Sequence, residues 1–430
     1  MALTGRAALV ALAGVLVVLA VRSTAALLVV EGVLVAAIAA DLILAAGVRP
    51  LRMSRSGDAK VRLGETATVT LTVHNPGRRT LRATVRDAWE PSARAAPHHT
   101  RIRVPGGGNV AVTTTLTPVR RGDRPSAGVT VRSAGPLGLA ARQGRHQVPW
   151  SVRALPPFRS RRHLPEKLAR LRELDGQHRS LHRGQGSEFD SLREYVAGDD
   201  VRSIDWRGTA RSTDVMVRTW RPERDRRVLI VLDTGRTSAG RVGDQPRLDA
   251  AMDAALLLAA LGARAGDRVD LLAVDRVIRA RVIGASRPGA LAALTDAMAP
   301  LEAELIESDG AAMARAVLTH ARQRCLVVLL TDLNLAVVQE GLLPHLRALL
   351  SRHLMVVGAV TDPRIGELAA GRGEAAAVYG AAAAERERAR RAQAAALLTR
   401  YGVTVVDAPP DRLPPALADA YLALKAAGRL

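Results

Sequence analysis

The sequence predicts a multidomain chain with two N-terminal membrane helices, then a β-sandwich, then an α/β domain built on a parallel sheet. Three observations predict it. Two apolar runs, residues 7–21 and 25–48, open the chain. Short runs of alternating polarity, punctuated by Gly and Pro, fill residues 58–155. From residue 227 onward, wholly apolar strands alternate with Ala- and Leu-rich helices.

Composition sets the outer bounds. A chain of 430 residues holds two or three domains with ample core. Aromatic residues make up only 2%, so Leu, Val and Ala must fill the interior. The formal charge of +21 would ordinarily point to nucleic acid or an anionic surface. However, Lys60, Lys167 and Lys425 are the only lysines, and the Arg, Ala and Gly excess looks like the codon bias of a GC-rich genome. Single-strand binders also need aromatic stacking platforms, which argues against a nucleic-acid partner. The one cysteine, Cys325, excludes an intrachain disulfide framework and a cysteine-based zinc site. It sits in Cys325-Leu326-Val327-Val328 and reads as a small buried hydrophobe.

The first domain, residues 1–50, reads as a transmembrane hairpin. A spanning helix needs about 20 apolar residues. The second run reaches that length, and the first does so if Arg22 reaches the interface. Glu31 and Asp41 interrupt the second run, each costing roughly 2–3 kcal/mol at a bilayer centre. Ten positions apart, they fall near one face, where a partner helix would meet them. A cleaved signal peptide would explain the first run alone, and the second follows too closely for that to explain both. Arg6 precedes the hairpin, and Arg49, Arg52 and Arg55 follow it. The positive-inside rule then places both ends, and the soluble domains, on the cytoplasmic side of the cell membrane.

Residues 56–155 read as an Ig-like β-sandwich module. The run Ala67-Thr68-Val69-Thr70-Leu71-Thr72-Val73 alternates as a half-buried strand should, and Asn75-Pro76-Gly77 marks a turn. Further strands are expected at 81–85, 101–104, 110–116, 129–131 and 148–152. Residues 156–226 read as a basic linker, a short helix at 165–174, and a charged segment. His178 and His182 lie four apart, a spacing that could hold zinc on a helix, although Gly184 and Gly186 favour a loop.

In residues 227–430, strands are expected at 228–232, 269–274, 277–283, 326–330, 354–360 and 403–406. Helices are expected at 248–264, 290–301, 311–323, 342–351, 385–400 and 415–425. Open α/β sheets bind ligands at the carboxyl ends of their strands. Asp233 ends the first strand, in Asp233-Thr234-Gly235-Arg236-Thr237-Ser238, and Asp332 ends a later one, in Leu329-Leu330-Thr331-Asp332. A polar loop, Glu307-Ser308-Asp309-Gly310, lies between them. This order resembles the metal-ion-dependent adhesion site of von Willebrand factor A domains, where hydroxyl and carboxylate oxygens hold Mg²⁺. The resemblance assigns the ligand positions to Asp233, Thr237, Ser308 and Asp332. Gly235 departs from it, standing where the family places its first serine and bringing no oxygen. Loop amides capped by Asp233 and Asp332 would explain the same carboxylates without a cation.

A second segment carries a longer likeness. It runs from Gly186 through Glu188, Phe189, Arg193, Tyr195, Gly198, Asp199, Asp200, Arg202, Asp205 and Trp206 to Arg211 and Arg218. It closely resembles the signature of the family called domain of unknown function 58. The C-terminal stretch from Tyr401-Gly402-Val403 to Gly428 is similar to that family's ending. The resemblance implies a membrane-associated protein with a von Willebrand factor A-like domain, often paired with a MoxR-type AAA+ ATPase. Physically, the segment reads as a lattice of Arg–carboxylate pairs fixing a loop, with Phe189, Tyr195 and Trp206 as apolar anchors.

These residues suggest a non-enzymatic, membrane-anchored scaffold that docks a protein partner. The sequence has no Gly-x-Ser-x-Gly elbow and no phosphate-binding glycine loop ending in Lys-Ser/Thr. Two alternatives stay open: a metal-dependent hydrolase using Asp199, Asp200 and Asp205, and an envelope structural protein.

Overall fold

The computed structural model describes residues 2–181, 188–196, 199–221, 226–284 and 289–430; the side chains of 175–181, 188–191 and 219–221 fall outside the description. The chain divides into two compact units, Met1–Leu155 and Pro156–Leu430.

In the first unit, helices α1 (Gly5–Val21) and α2 (Thr24–Leu44) form an antiparallel pair. A side chain at Gly14 would collide with Val30, so the glycine sets how closely the two helices approach. α2 is long and apolar enough to cross a membrane, and α1 is apolar but shorter. Both outer ends of the pair meet the β-module. Residues Ala2–Leu3 pair with a module strand, and the last turn of α2 holds the fully buried Asp41.

The module's strands are β1 (Arg52–Gly57), β2 (Ala67–His74), β3 (Leu81–Trp89), β4 (Thr100–Val104), β5 (Asn109–Leu116), β6 (Gly122–Ala134), β7 (Ala140–His146) and β8 (Ser151–Leu155). One sheet is built on β6, which pairs with β7, β3 and β8, while β4 joins β3. The other runs β1-β2-β5 and ends on Ala95–Ala96. Alternate residues of both sheets, among them Leu71, Val73, Val85, Val112 and Val131, share one core. The sequence expectation caught only the middle of the 13-residue β6. It missed β1 and β7, whose sequences RMSRSG and AARQGRH bury too few side chains to alternate visibly.

A buried polar network joins the two sheets. Arg55 of β1 makes a two-pronged pair with Asp87 of β3, at 2.6 and 3.1 Å. Asp87 also accepts from Trp89 Nε1 and Thr114 Oγ1, and the Arg55 guanidinium lies over the Trp89 ring.

In the second unit, residues 156–162 do not form a free linker. The Ser160 amide and hydroxyl bond to the Asp253 carboxylate, and Leu171 of α3 (Leu164–Leu181) joins the core. The helix is longer than expected; His178 lies within it, its side chain undescribed, and His182 lies outside the described residues. Strands β9 (Glu188–Glu194) and β10 (Met216–Arg221) pair antiparallel, so the signature segment frames a two-stranded ribbon rather than a single loop.

The main sheet comprises β11 (Arg227–Asp233), β12 (Arg268–Val274), β13 (Ile278–Val282), β14 (Leu326–Leu330), β15 (Leu354–Val360) and β16 (Thr404–Ala408). Its order is β13-β12-β11-β14-β15-β16, parallel throughout except for the edge strand β13. Counted along this sheet the order is 3-2-1-4-5-6, the doubly wound arrangement. Helix α4 (Arg247–Arg264) covers one face, together with the C-terminal helix Leu413–Ala426. The other face packs helices that include Gly310–His320, Leu343–Leu350 and Ala375–Arg400. Burial on both faces explains why these strands read as unbroken apolar runs.

Candidate functional site

Strand order reverses between β11 and β14, and such a switch point opens a crevice at the carboxyl ends of the strands. Asp233 ends β11, and Thr331 and Asp332 follow β14 directly beside it. The sequence expectation that both carboxylates share one rim therefore holds.

Asp233 is almost wholly buried and accepts three hydrogen bonds. The Gly235 amide donates to Oδ1 at 2.8 Å, the Ser308 hydroxyl donates to the same oxygen, and Thr331 Oγ1 donates to Oδ2 at 2.6 Å. Burial pushes its pKa above the usual carboxylate range, against the opposing pull of Ser308, Thr331 and the Gly235 amide. Thr331 is the partner that sequence reasoning missed. Its signal was present: a hydroxyl residue immediately after an apolar strand, beside the strand that ends in Asp233.

Asp332 faces elsewhere. Its Oδ2 accepts from Arg247 of α4 at 2.9 Å, and its Oδ1 accepts from Arg391 of helix Ala375–Arg400 at 2.6 Å. Arg391 also reaches Asp407 at the end of β16, at 2.7 Å. Burial works against its charge, yet the hydrogen bond to Asp407 and the charge of Asp332 hold its pKa above the ordinary arginine value. Thr237 lines a small pocket with Arg247, Thr331 and Asp332.

This arrangement bears on the expected Mg²⁺ ligands Asp233, Thr237, Ser308 and Asp332. As placed, both carboxylates already have partners. Two guanidinium groups already neutralise Asp332, and hydroxyl and amide donors already occupy Asp233. The departure at Gly235 has a steric counterpart: a Cβ there would lie 2.0 Å from Ser308 Oγ. The hydroxyl missing at 235 and the hydroxyl present at 308 compete for one space.

The signature segment is organised by three aspartates with separate duties. Asp199 takes Arg193 at 2.5 Å and the Val196 amide at 3.0 Å. Asp200 caps the turn at Val201–Ser203 through the Arg202 amide. Asp205 caps the helical turn Trp206–Thr209 through the Arg207 and Gly208 amides, and pairs with Arg218 at 2.8 Å. The Arg218 bond, then the Gly208 amide, hold the Asp205 pKa down at about 2. The three carboxylates thus serve local donors and do not converge on a common point. The expected apolar anchoring is corrected for two residues: Trp206 is 68% exposed and Tyr195 is 38% exposed. Val196 and Val201 are exposed beside them in the chain, each at 61%. Arg211 is exposed as well. Gly198 and the side chains of Glu188 and Phe189 lie outside the described residues.

Residues 191–396 match the family model described as Protein of unknown function DUF58. That stretch contains most of the signature and the rim, and ends before β16, so the C-terminal ending that resembles the family falls outside it. Uncharacterized proteins of Mycobacterium tuberculosis and Mycobacterium bovis are each 30% identical over 199 residues, covering 45% of this chain and 61% of the relative. The chain thus spans about three fifths of the length of the curated relatives it matches. Among solved structures, similarity reaches the CARDB domain of the PF1109 protein from Pyrococcus furiosus, at 13% identity and TM-score 0.19, over 24% of this chain and 91% of that one. A FixG-related protein from Vibrio parahaemolyticus gives 13% identity and TM-score 0.18, over 25% and 98%. Likeness at these values carries no argument about function.

Proposed function

We propose that the chain is a membrane-anchored protein-interaction scaffold of the DUF58 type, with a von Willebrand factor A-like domain whose adhesion rim works without a bound cation. Arg247 and Arg391 stand in for the positive charge that Mg²⁺ would bring, and they hold the rim in one geometry. The hairpin of α1 and α2 crosses the cell membrane and keeps both units on the cytoplasmic side, as the flanking arginines favour.

The observation that carries the docking reading is Trp206. A tryptophan 68% exposed, on a helical turn fixed by Asp205 and Arg218, is the kind of residue that dominates a protein interface. The resemblance to the family points to a MoxR-type AAA+ ATPase as the partner.

The test is affinity recovery of the full-length chain from detergent extracts, comparing the parent with Trp206→Ala and Asp233→Ala. Trp206→Ala should lose the recovered ATPase, and chelating Mg²⁺ during capture should leave parental recovery unchanged in the absence of nucleotide. Undiminished recovery by Trp206→Ala would remove the docking surface from the signature segment. Recovery that collapses on chelation and returns with Mg²⁺ alone would restore the cation reading.

A further inference from the structure

We propose that one face of the β-module is a docking surface for the anionic phospholipid headgroups of the membrane that holds the chain. This proposal rests on the reading of α2 as a membrane span.

Four strands lie side by side in the order β4-β3-β6-β7. Their register sets arginines on one face. Arg82 lies opposite Arg103, Thr84 lies between Arg101 and Arg132, and Arg86 and Arg145 flank Thr130 from either side. All six arginines are exposed, while the alternate residues Leu81, Val85, Val104, Val129 and Val131 are buried. The face is therefore fixed by the pleat, since a slip of one residue would send these guanidinium groups into the core.

The face carries no counter-charge of its own. The only carboxylates on these four strands are Asp87, buried against Arg55, and Asp123, paired with Arg153. Arg132 donates to Gln143 and Arg145 to the Ala127 carbonyl, both neutral acceptors. Like charges directly opposite each other destabilise a sheet, and Arg82 faces Arg103 across adjacent strands. A partner dense in negative charge would relieve that repulsion and suit the bidentate donors of arginine.

The sheet's attachment selects the partner. Asp41, in the last turn of α2, accepts from the amides of Leu137 and Leu139 in the turn between β6 and β7 and of Ala140 at the start of β7. A side chain at Gly135 would collide with Asp41, so this turn is shaped to admit it. Arg142 donates to the Leu42 carbonyl at 2.8 Å and Arg79 to the Ile43 carbonyl at 2.7 Å. The arginine face thus begins where the apolar helix ends. Arg82 and Arg103 stand at the helix end of the face, and Arg86 and Arg145 lie about 13 Å further along the strands. A headgroup layer is roughly 5–8 Å deep and the Debye length is about 8 Å, so the near pair meets headgroups and the far pair feels their field. No exposed aromatic residue lies on these strands to stack with nucleic-acid bases.

The test uses the full-length chain in nanodiscs of phosphatidylcholine with a minority of phosphatidylglycerol, counting the lipids retained on release by native mass spectrometry. The parent should retain phosphatidylglycerol in excess of its share of the disc. A juxtamembrane arginine is worth about a five-fold change in association with anionic lipid. Arg82→Gln with Arg103→Gln should therefore cut the excess at least about five-fold, and Arg86→Gln with Arg145→Gln should cut it less. Removing like charges should leave the thermal unfolding midpoint unchanged or higher, which separates lost binding from lost folding. An excess that survives the near-pair substitution, or no excess in the parent, overturns the proposal. Binding of polyphosphate in lipid-neutral discs, with no phosphatidylglycerol excess, would also overturn it in favour of a soluble polyanion. Carbonate extraction keeps the two readings apart. A chain released into the soluble fraction sinks the membrane span, whereas a chain that stays in the pellet without lipid preference sinks only the arginine face.

Discussion

Restoring the serine that the adhesion motif would place at position 235 should damage the rim. Gly235 has φ −78° and ψ −174°, a backbone that any residue adopts, so conformational freedom does not explain the glycine. Space does: an added Cβ would sit 2.0 Å from Ser308 Oγ and 3.1 Å from both the Ile306 carbonyl oxygen and the Ser308 nitrogen. Gly235→Ser forces the Ser308 hydroxyl off Asp233, losing a hydrogen bond to a charged group worth about 1.5–3 kcal/mol. Crowding against the two backbone atoms adds roughly 1–2 kcal/mol. The stiffer unfolded chain returns less than about 1 kcal/mol. A net loss of roughly 2–4 kcal/mol should lower the unfolding midpoint of this unit by about 5–15 °C. The assay is thermal unfolding of the full-length chain in detergent, run as a double-mutant cycle with Ser308→Ala. The double variant should be less destabilised than the two singles together by about 1 kcal/mol or more, because a hydroxyl at 235 can serve Asp233 once the one at 308 is gone. A single variant as stable as the parent, or strictly additive effects, would refute the idea that the two positions share one space.

Further expectations concern both units. Arg55→Ala should destabilise the β-module by about 3–5 kcal/mol, because it leaves the Asp87 carboxylate buried between two sheets without its countercharge; chemical denaturation reads this out. Cys325, whose thiol burial pushes up to about 12, should resist aqueous thiol reagents in the folded chain and react stoichiometrically once the chain is denatured. Asp205 is held at about 2, below its unfolded value, so its support of the Trp206 turn is present above the ordinary carboxylate range and lost as pH falls through about 2. Trp206 fluorescence against pH, with Trp89, Trp150 and Trp220 replaced by Phe in both samples, should therefore change at higher pH when Arg218→Gln removes the pairing charge.

The main sheet was legible because its strands are buried on both faces. Runs such as Val228 to Leu232, Leu326 to Leu330 and Leu354 to Val360 could be placed almost residue by residue. The module was less legible where a strand buries few side chains, as β1 and β7 do. Residues 156–162 looked like a linker because they are basic and proline-containing. Their attachment depends on Ser160 meeting Asp253, 93 positions away, and no local pattern announces that.

The rim shows the same limit in sharper form. Asp233 and Asp332 could be placed together because each follows an apolar strand, but the groups that answer them could not. Asp332 is met by Arg247 and Arg391, which lie 85 and 59 positions away in sequence. One signal did exist. Ala384, Arg391, Ala394 and Leu398 are buried at helical spacing, so Arg391 interrupts the core-facing stripe of its own helix. A charge on such a stripe must find an opposite charge, because burying it alone costs several kcal/mol. Asp41 carries the same message in an apolar helix, and there the partner proved to be three backbone amides rather than a partner helix. In each case the sequence exposes the need for a partner, and only the packing decides which. A cation at the rim was one way to meet the need of Asp332, and two arginines meet it instead.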